Sequence, residues 1–244
     1  MRIILSVRLC FCFFQELQAQ TINLNERFIQ QNLRTAQLLG KFDPTFSFTS
    51  LPIHTGKKGI KIDSSLIGSK EYGATLKTFF GKHGTLKILP VDFIMEYSSH
   101  HPYSRNNGSM IPNRGYQQLV SFGFHAELGP LSIQFKPETV YAENRNFEGF
   151  PDSHYGVIWA RRYQLWNYID LPERFGENAY KKSLFGQSSI RLNYNGISLG
   201  LSSENIWWGP SVRNSIMMSN QAQGFNHITF NTTLLTTYFY IFAS

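Results

Sequence analysis

Hydrophobic residues recur at every second position along much of the chain from Thr45 onward, which is the period of a β-strand with one apolar face. Segment 118–127 is the clearest case, because apolar side chains alternate there with small and polar ones. After a turn at 128–130 the alternation continues to Tyr141, and one side of this second segment carries Ser132, Gln134, Lys136, Glu138 and Val140. Two alternating segments separated by a short turn predict an antiparallel hairpin.

The same period predicts further strands on both sides of this hairpin. Segments 72–80 and 86–97 flank a glycine-containing turn at 81–84. Segments 188–194 and 197–202 flank Asn195-Gly196, a pair favoured in tight turns because both positions accept a positive φ. A shorter alternating run around Phe46 and Phe48 stops at Pro52. About eight to ten strands are expected in all.

Alternation by itself fits a soluble β-sandwich as well as a transmembrane β-barrel. Here the strands reach about ten residues, which is the length that crosses a bilayer at a tilt. Short turns also alternate with long connections at 98–116 and 144–187, as in barrels with short periplasmic turns and long outer loops. The favoured fold class is therefore all-β, an antiparallel transmembrane β-barrel, and the alternative is a soluble sandwich.

The first residues have the layout of a cleavable export signal. Arg2 precedes an apolar run that ends at Phe14, and a small-residue cleavage site follows. We therefore predict a signal peptide over residues 1–19; the alternative is a buried N-terminal helix. Cys10 and Cys12 both lie in this segment, so the mature chain has no cysteine for a disulfide or a thiolate zinc site.

Residues 20–42 are predicted to form a periplasmic helical segment. Asn23 and Glu26 are spaced as a capping box, and Gly40 closes the helix. Apolar residues recur between them at helical spacing, namely Leu24, Phe28, Ile29, Leu33, Ala36 and Leu39. The opposite, water-tolerant face carries Arg27, Gln30, Gln31 and Arg34. Residues 43–244 are predicted to form the outer-membrane β-barrel domain.

Composition agrees with strands in a membrane. Aromatic residues make up 15% of the chain, whereas charged residues make up 16%, below the ~25% usual in soluble domains. No run of about 18 apolar residues follows the predicted signal, which excludes spanning helices. The net charge of +7 is dispersed along the chain, and this argues against a nucleic-acid partner.

Segment 203–214 holds the densest group of chemically useful side chains. It combines a carboxylate, two indoles, an arginine and two amides, a mixture suited to a sugar ring and its hydroxyls. The candidate polysaccharide-binding residues are Glu204, Asn205, Trp207, Trp208, Arg213 and Asn214. The alternative is an interfacial tryptophan belt closed by a Gly-Pro turn.

Other polar groups do not form a recognisable active site. His100 and His101 are adjacent and lack a carboxylate at ligand spacing, so no metal site is predicted. No hydrolase, metalloprotease or phosphate-binding motif occurs in the chain. A catalytic carboxylate pair cannot be identified without geometry among Glu138, Glu143, Glu148 and Asp152. We therefore predict no catalytic residue and no cofactor.

Several motifs resemble one family. Segment 203–210, with Arg213-Asn214-Ser215 and 218–220 after it, is similar to the signature stretch of capsule assembly proteins of the Wzi family, in the form common in Bacteroidetes. Segments 110–117 and 129–138 resemble other parts of that family. The resemblance implies a monomeric, many-stranded outer-membrane barrel with a small periplasmic helical element. It also implies a non-enzymatic surface lectin that holds capsular polysaccharide, with outer-membrane lipid around it.

The resemblance leaves a mismatch in length. At about ten residues per strand plus turns, a family barrel of roughly eighteen strands needs well over the 244 residues of this chain. We therefore expect an N-terminal portion of a longer protein, or a truncated gene product, that aggregates when expressed alone because its strand edges are unpaired in lipid. A porin-like channel is the alternative function, and a secreted glycan-modifying enzyme ranks third.

Overall fold

The computed structural model describes residues 21–22, 27–41, 47–54, 74–79, 84–102, 104, 106–166, 174–194, 197–211, 213, 215, 217–232 and 237–242. The predicted signal peptide, the capping box of Asn23 and Glu26, and the turn pair Asn195-Gly196 lie outside the described residues.

Within the described residues the backbone forms two helices and fourteen strands. The helices are α1 (Arg27–Leu38) and α2 (Gly156–Trp166). The strands are β1 (Thr21–Ile22), β2 (Ser50–Leu51), β3 (Ile53–His54), β4 (Ala74–Phe79), β5 (Gly84–Ser98), β6 (Gly115–Leu128), β7 (Leu131–Phe135), β8 (Glu138–Ala142), β9 (Tyr180–Leu184), β10 (Ser189–Tyr194), β11 (Ile197–Ser202), β12 (Trp207–Trp208), β13 (His227–Thr232) and β14 (Thr237–Phe242).

Ten of these strands form one antiparallel sheet in the order β14-β13-β11-β10-β7-β6-β5-β4, with β8 paired to both β6 and β9. β7 and β8 lie end to end along β6, and β9 and β10 continue one another in the same way. The three predicted hairpins are confirmed as β4–β5, β6–β7 and β10–β11. The all-β fold class is confirmed; among the described residues the outer strands β4 and β14 do not pair, so the sheet is open.

A glycine permits the interruption between β7 and β8. A Cβ at Gly123 of β6 would lie 2.0 Å from the carbonyl oxygen of Phe135 and 2.7 Å from the Cα of Lys136. Only a residue without a side chain allows this approach. The predicted alternation survives the break, because Gln134, Lys136 and Glu138 are all buried on one side.

Three expectations need correction, two for segments outside the hairpins and one for the faces of the N-terminal helix. Residues 47–49 are not a strand, and the short strand β2 begins only at Ser50. The connection at 144–187 is not irregular throughout, because it contains α2 and β9. The predicted N-terminal helix is present as α1, and Gly40 follows it with a φ of 68°. Its faces differ from the prediction, however: Gln30 is buried and Leu39 is exposed.

The sheet buries its polar face and exposes its apolar face. In β10, Ile190 and Leu192 are 53% and 56% exposed, whereas Ser189 and Arg191 are 5% and 4% exposed. The same inversion holds in β6, β7, β11 and the middle of β5, whose exposed side chains include Val91, Phe93, Met95, Phe122, Phe124, Leu128, Phe135, Ile197, Leu199 and Leu201. In contrast, β8 buries Val140 and Ala142, and β9 exposes Lys181 and Lys182. A soluble sandwich does the reverse, because its apolar faces form the core.

Two long connections cover the polar face. Connection 99–114 contacts it where the Ser109 hydroxyl donates to Glu138 and where the Ile111 N–H donates to Gln117 Oε1 at 3.1 Å. Connection 203–226 contacts it where Gln134 Nε2 donates to Glu204 Oε1 at 3.1 Å. The N-terminal segment joins the second connection, since β2 pairs with β12.

The two ends of the sheet differ in the length of their connections. At one end of the sheet the strand registers pair residues that are three to five positions apart in the chain, namely Phe79 with Gly84, Leu128 with Leu131, Tyr194 with Ile197 and Thr232 with Thr237. At the other end the paired residues are far apart in the chain, namely Ser98 with Gly115, Ala142 with Tyr180 and Ser202 with His227, so connections 99–114, 143–179 and 203–226 begin and end there. The predicted alternation of short and long connections is therefore confirmed. In the described part of the chain, no helix has the length and apolar character needed to cross a membrane.

Candidate functional site

Glu204 anchors connection 203–226 to the polar face. β11 ends at Ser202, whose Oγ accepts the Glu204 N–H at 3.0 Å and donates to the Glu204 carboxylate at 2.9 Å. The Arg191 guanidinium forms an ion pair with the same carboxylate, and Gln134 Nε2 donates to it. The Glu204 side chain is fully buried. Its carboxylate oxygens therefore bond to groups in the interior of the protein.

Asn205 continues this polar layer toward connection 99–114. Gln187 Nε2 donates to Asn205 Oδ1 at 3.0 Å, and Asn205 Nδ2 donates to the Ala222 carbonyl at 2.8 Å and to Asn220 Oδ1. Asn220 Nδ2 in turn donates to the Asn106 carbonyl at 3.1 Å. A chain of amides thus joins the sheet to both long connections.

The two tryptophans of the predicted site have different surroundings. Trp207 is buried, pairs with Leu51, and donates from Nε1 to the Ser211 carbonyl at 3.0 Å. Trp208 is 38% exposed. Arg213 is also exposed, and its backbone carbonyl accepts from Asn106 Nδ2 at 2.6 Å.

The six predicted site residues therefore do not form one open surface. Glu204, Asn205 and Trp207 are buried, Trp208 and Arg213 lie at the surface, and Asn214 lies outside the described residues. That this segment binds a sugar stays a prediction, and it now rests on Trp208 and Arg213, the two predicted residues that lie at the surface. The sequence pattern could not separate these groups, because burial here depends on strands far away along the chain.

A second buried ion pair lies in the middle of the sheet. Lys136 Nζ lies 2.7 Å from Asp92 Oδ2, and the Lys136 side chain is fully buried. The neighbouring carboxylate of Glu138 is also buried, and it accepts hydrogen bonds from Ser109 Oγ and from Gln187 Nε2 at 3.0 Å. The alternation of the sequence predicted that Lys136 and Glu138 share a face, but it did not indicate their partners.

A polar cleft of about 430 Å³ opens at the end of the sheet that has the long connections. It is lined by Glu96, Tyr97, Ser98, Asn107, Asn113, Gly115 and Gln117. Asn107 Nδ2 donates to the two Glu96 oxygens at 3.1 and 3.4 Å, and Gln117 Nε2 donates to Glu96 at 3.5 Å. The sequence pattern did not predict this cleft. The only available signal was the position of Glu96 and Gln117 on adjoining strands.

A second carboxylate is fixed beside this cleft. Glu143 Oε2 accepts the Tyr116 N–H at 2.7 Å and lies 2.8 Å from Arg145 Nε. The Tyr116 N–H, followed by Arg145, lowers the pKa of the Glu143 carboxyl, which keeps it ionised near neutral pH. Gly115 has a φ of 99°, and a Cβ there would lie 2.3 Å from Glu143 Oε2, so glycine is required at this position.

The remaining candidate groups are dispersed. His100 and His101 are exposed, and the described residues contain no group of three histidine, cysteine or acidic side chains that could hold a metal ion. Glu138 is buried, whereas Glu148 and Asp152 are exposed in connection 143–179. Arg162 lies on α2, with its guanidinium 4.1 Å from the centre of the Phe150 ring.

Comparison of the chain with family models, with curated proteins and with solved structures finds no match. The family resemblance drawn from the sequence motifs therefore stays a prediction. A function has to be inferred from the inverted sheet, the buried polar layer and the cleft.

Proposed function

We propose that this chain is a non-enzymatic outer-membrane protein that binds capsular polysaccharide and supports capsule assembly at the cell surface. One observation carries the membrane part of this proposal, namely the exposed apolar face of the ten-stranded sheet. Fully removing a single Leu, Ile or Phe side chain from water is worth about 1.5–3 kcal/mol. A continuous band of such side chains is therefore unfavourable in water and favourable in lipid.

The strand geometry supports the same placement. β5 and β6 have 15 and 14 residues, and about 9–11 residues suffice to cross a bilayer at a tilt. Neighbouring strands of the sheet pair with each other, so the backbone polar groups between them are satisfied without water. The outer edges of β4 and β14 are the exception among the described residues. In this arrangement the apolar face contacts outer-membrane lipid and the polar face lines the interior of a barrel.

The buried polar layer favours a binding protein over a porin-like channel. A porin keeps a water-filled lumen behind its polar face. In the described residues that face is covered instead by connections 99–114 and 203–226, through contacts such as Glu204 with Arg191 and Asn205 with Gln187. A barrel filled in this way is expected to conduct few ions.

The proposed orientation follows from the lengths of the connections. Membrane barrels place short turns in the periplasm and long loops at the cell exterior. Connections 99–114, 143–179 and 203–226 would then face the capsule, together with Trp208 and Arg213. The N-terminus would lie in the periplasm, and β2 would reach connection 203–226 along the polar face.

Purified capsular polysaccharide from the source strain provides the test of this function. Protein purified from the source cells and placed in lipid nanodiscs is expected to bind it, and Trp208→Ala should weaken binding about tenfold, or ~1.4 kcal/mol. Tyr155→Ala is the matched control, since Tyr155 is an exposed aromatic residue outside the predicted site. In planar bilayers the same protein should conduct little. Large steady conductance without polysaccharide binding would favour the channel.

A further inference from the structure

The cleft beside Glu96 contains a carboxylate held in place by buried groups. Gln117 lies directly across from Glu96 in the β5–β6 register and is itself buried. Its amide is fixed by Ile111, to which it donates at 3.0 Å and from which it accepts at 3.1 Å. Gln117 and Asn107 both donate to Glu96, which orients the carboxylate while the residue stays exposed.

The oriented carboxylate can still accept hydrogen bonds from a ligand. A carboxylate offers about four lone-pair positions, and the two amide donors occupy only some of them. The cleft volume of about 430 Å³ lies in the range of small-molecule sites, roughly 300–1,000 Å³. Its lining combines amide, hydroxyl and carboxylate groups with an equal share of apolar surface, a mixture that suits the hydroxyls and the C–H faces of a sugar ring.

The charge of the cleft restricts that ligand further. Among the described residues, neither lysine nor arginine lines the cleft, and none forms an ion pair with Glu96. The nearby Arg145 is paired with Glu143. Arg145 also interacts with the cleft residue Tyr97, but its ion pair is with Glu143, and the carboxylate of Glu96 has amide partners alone among the described residues. A uronic acid that hydrogen-bonds at Glu96 would therefore meet a like charge, whereas an amine would be attracted to it.

We infer that this cleft is a saccharide-binding site that selects neutral or amine-bearing sugars over uronic acids. The inference rests on the proposed function and adds to it the location and charge preference of a site. The cleft lies at the same end of the sheet as Trp208, because connection 99–114 is hydrogen-bonded to connection 203–226.

A glycan array with neutral, amine-bearing and uronate-bearing oligosaccharides tests this inference. Protein from the source cells is expected to bind neutral and amine-bearing members and to reject uronates. Glu96→Gln keeps the shape of the side chain but removes its charge, so amine-bearing members should bind at least tenfold more weakly and uronates should be rejected less. Asn107→Ala should weaken all binding. Glu148→Gln, which removes an exposed carboxylate elsewhere, is the control and should change nothing.

The possible outcomes separate this inference from the proposed function. If Glu96→Gln and Asn107→Ala leave binding unchanged but Trp208→Ala weakens it, the inference about the cleft is wrong. The proposed function is not contradicted by that result. The inference about the cleft is also wrong if the unmodified protein prefers uronates, or if Glu148→Gln changes binding as much as Glu96→Gln does. A complete lack of glycan and capsule binding by correctly folded protein overturns both.

Discussion

Replacing Glu204 by alanine is expected to destabilise the protein by roughly 3–5 kcal/mol, the usual loss when one member of a buried ion pair is removed. The carboxylate is fully buried, and it is the partner of the Arg191 guanidinium. Without it the guanidinium keeps its charge in a buried position, and the donors of Gln134 and Ser202 lose their acceptor. Connection 203–226 would also lose its anchor on the sheet.

Urea unfolding of lipid-reconstituted protein, followed by tryptophan fluorescence, measures this loss. Arg145→Ala breaks the exposed ion pair with Glu143 and is the matched control, expected to leave the free energy of unfolding nearly unchanged. The double variant Arg191→Met and Glu204→Leu should recover part of the stability, because apolar residues often replace buried ion pairs without loss. If Glu204→Ala and Arg145→Ala have the same free energy of unfolding, the polar layer does not hold connection 203–226 in place.

Replacing Phe122 by arginine is expected to cost about 2–4 kcal/mol if its face lies in lipid, the penalty measured for arginine at the midplane of membrane barrels. Phe122 lies in the middle of β6 and is 64% exposed on the apolar face. In a water-soluble sheet the same substitution at an exposed position would change stability by about 0.5 kcal/mol or less. The two environments therefore predict clearly different results.

The free energy of unfolding in lipid vesicles gives the comparison. Phe122→Leu keeps the position apolar and corrects for lost packing of the ring. Asn178→Arg adds the same charge at an exposed position in connection 143–179 and should be tolerated. A loss for Phe122→Arg no larger than that for these two variants would argue that the face is not in contact with lipid.

The strands were predictable from the sequence because their alternation is local. The period of two identified the β4–β5, β6–β7 and β10–β11 hairpins and the residues that share a face. The period of two does not show which face is buried, because apolar and polar residues alternate in the strands of a sandwich and of a barrel alike. That difference depends on what covers each face, here connections 99–114 and 203–226.

The site was harder to predict because its contacts join distant parts of the chain. Glu204 and Trp207 lie in a segment with suitable chemistry, yet their partners Arg191 and Leu51 come from other strands. Gln30 was expected on the wet face of α1 and is buried instead, because helical period alone does not reveal tertiary neighbours. The cleft at Glu96 likewise forms only once β5, β6 and connection 99–114 are brought together.

Nitroxide labels on β11 test the central claim, the contact of the apolar face with lipid, most directly. Single cysteines at Ser198, Leu199 and Leu201 can be labelled selectively, because both natural cysteines lie in the predicted signal segment. In lipid vesicles, labels at Leu199 and Leu201 should collide with oxygen, which concentrates in the bilayer, and not with a water-soluble nickel complex. The label at Ser198, on the polar face and half-buried, should collide with oxygen less than the two leucine-position labels do. Collision of the leucine-position labels with the nickel complex, or with neither reagent, would contradict the placement of this sheet in a membrane.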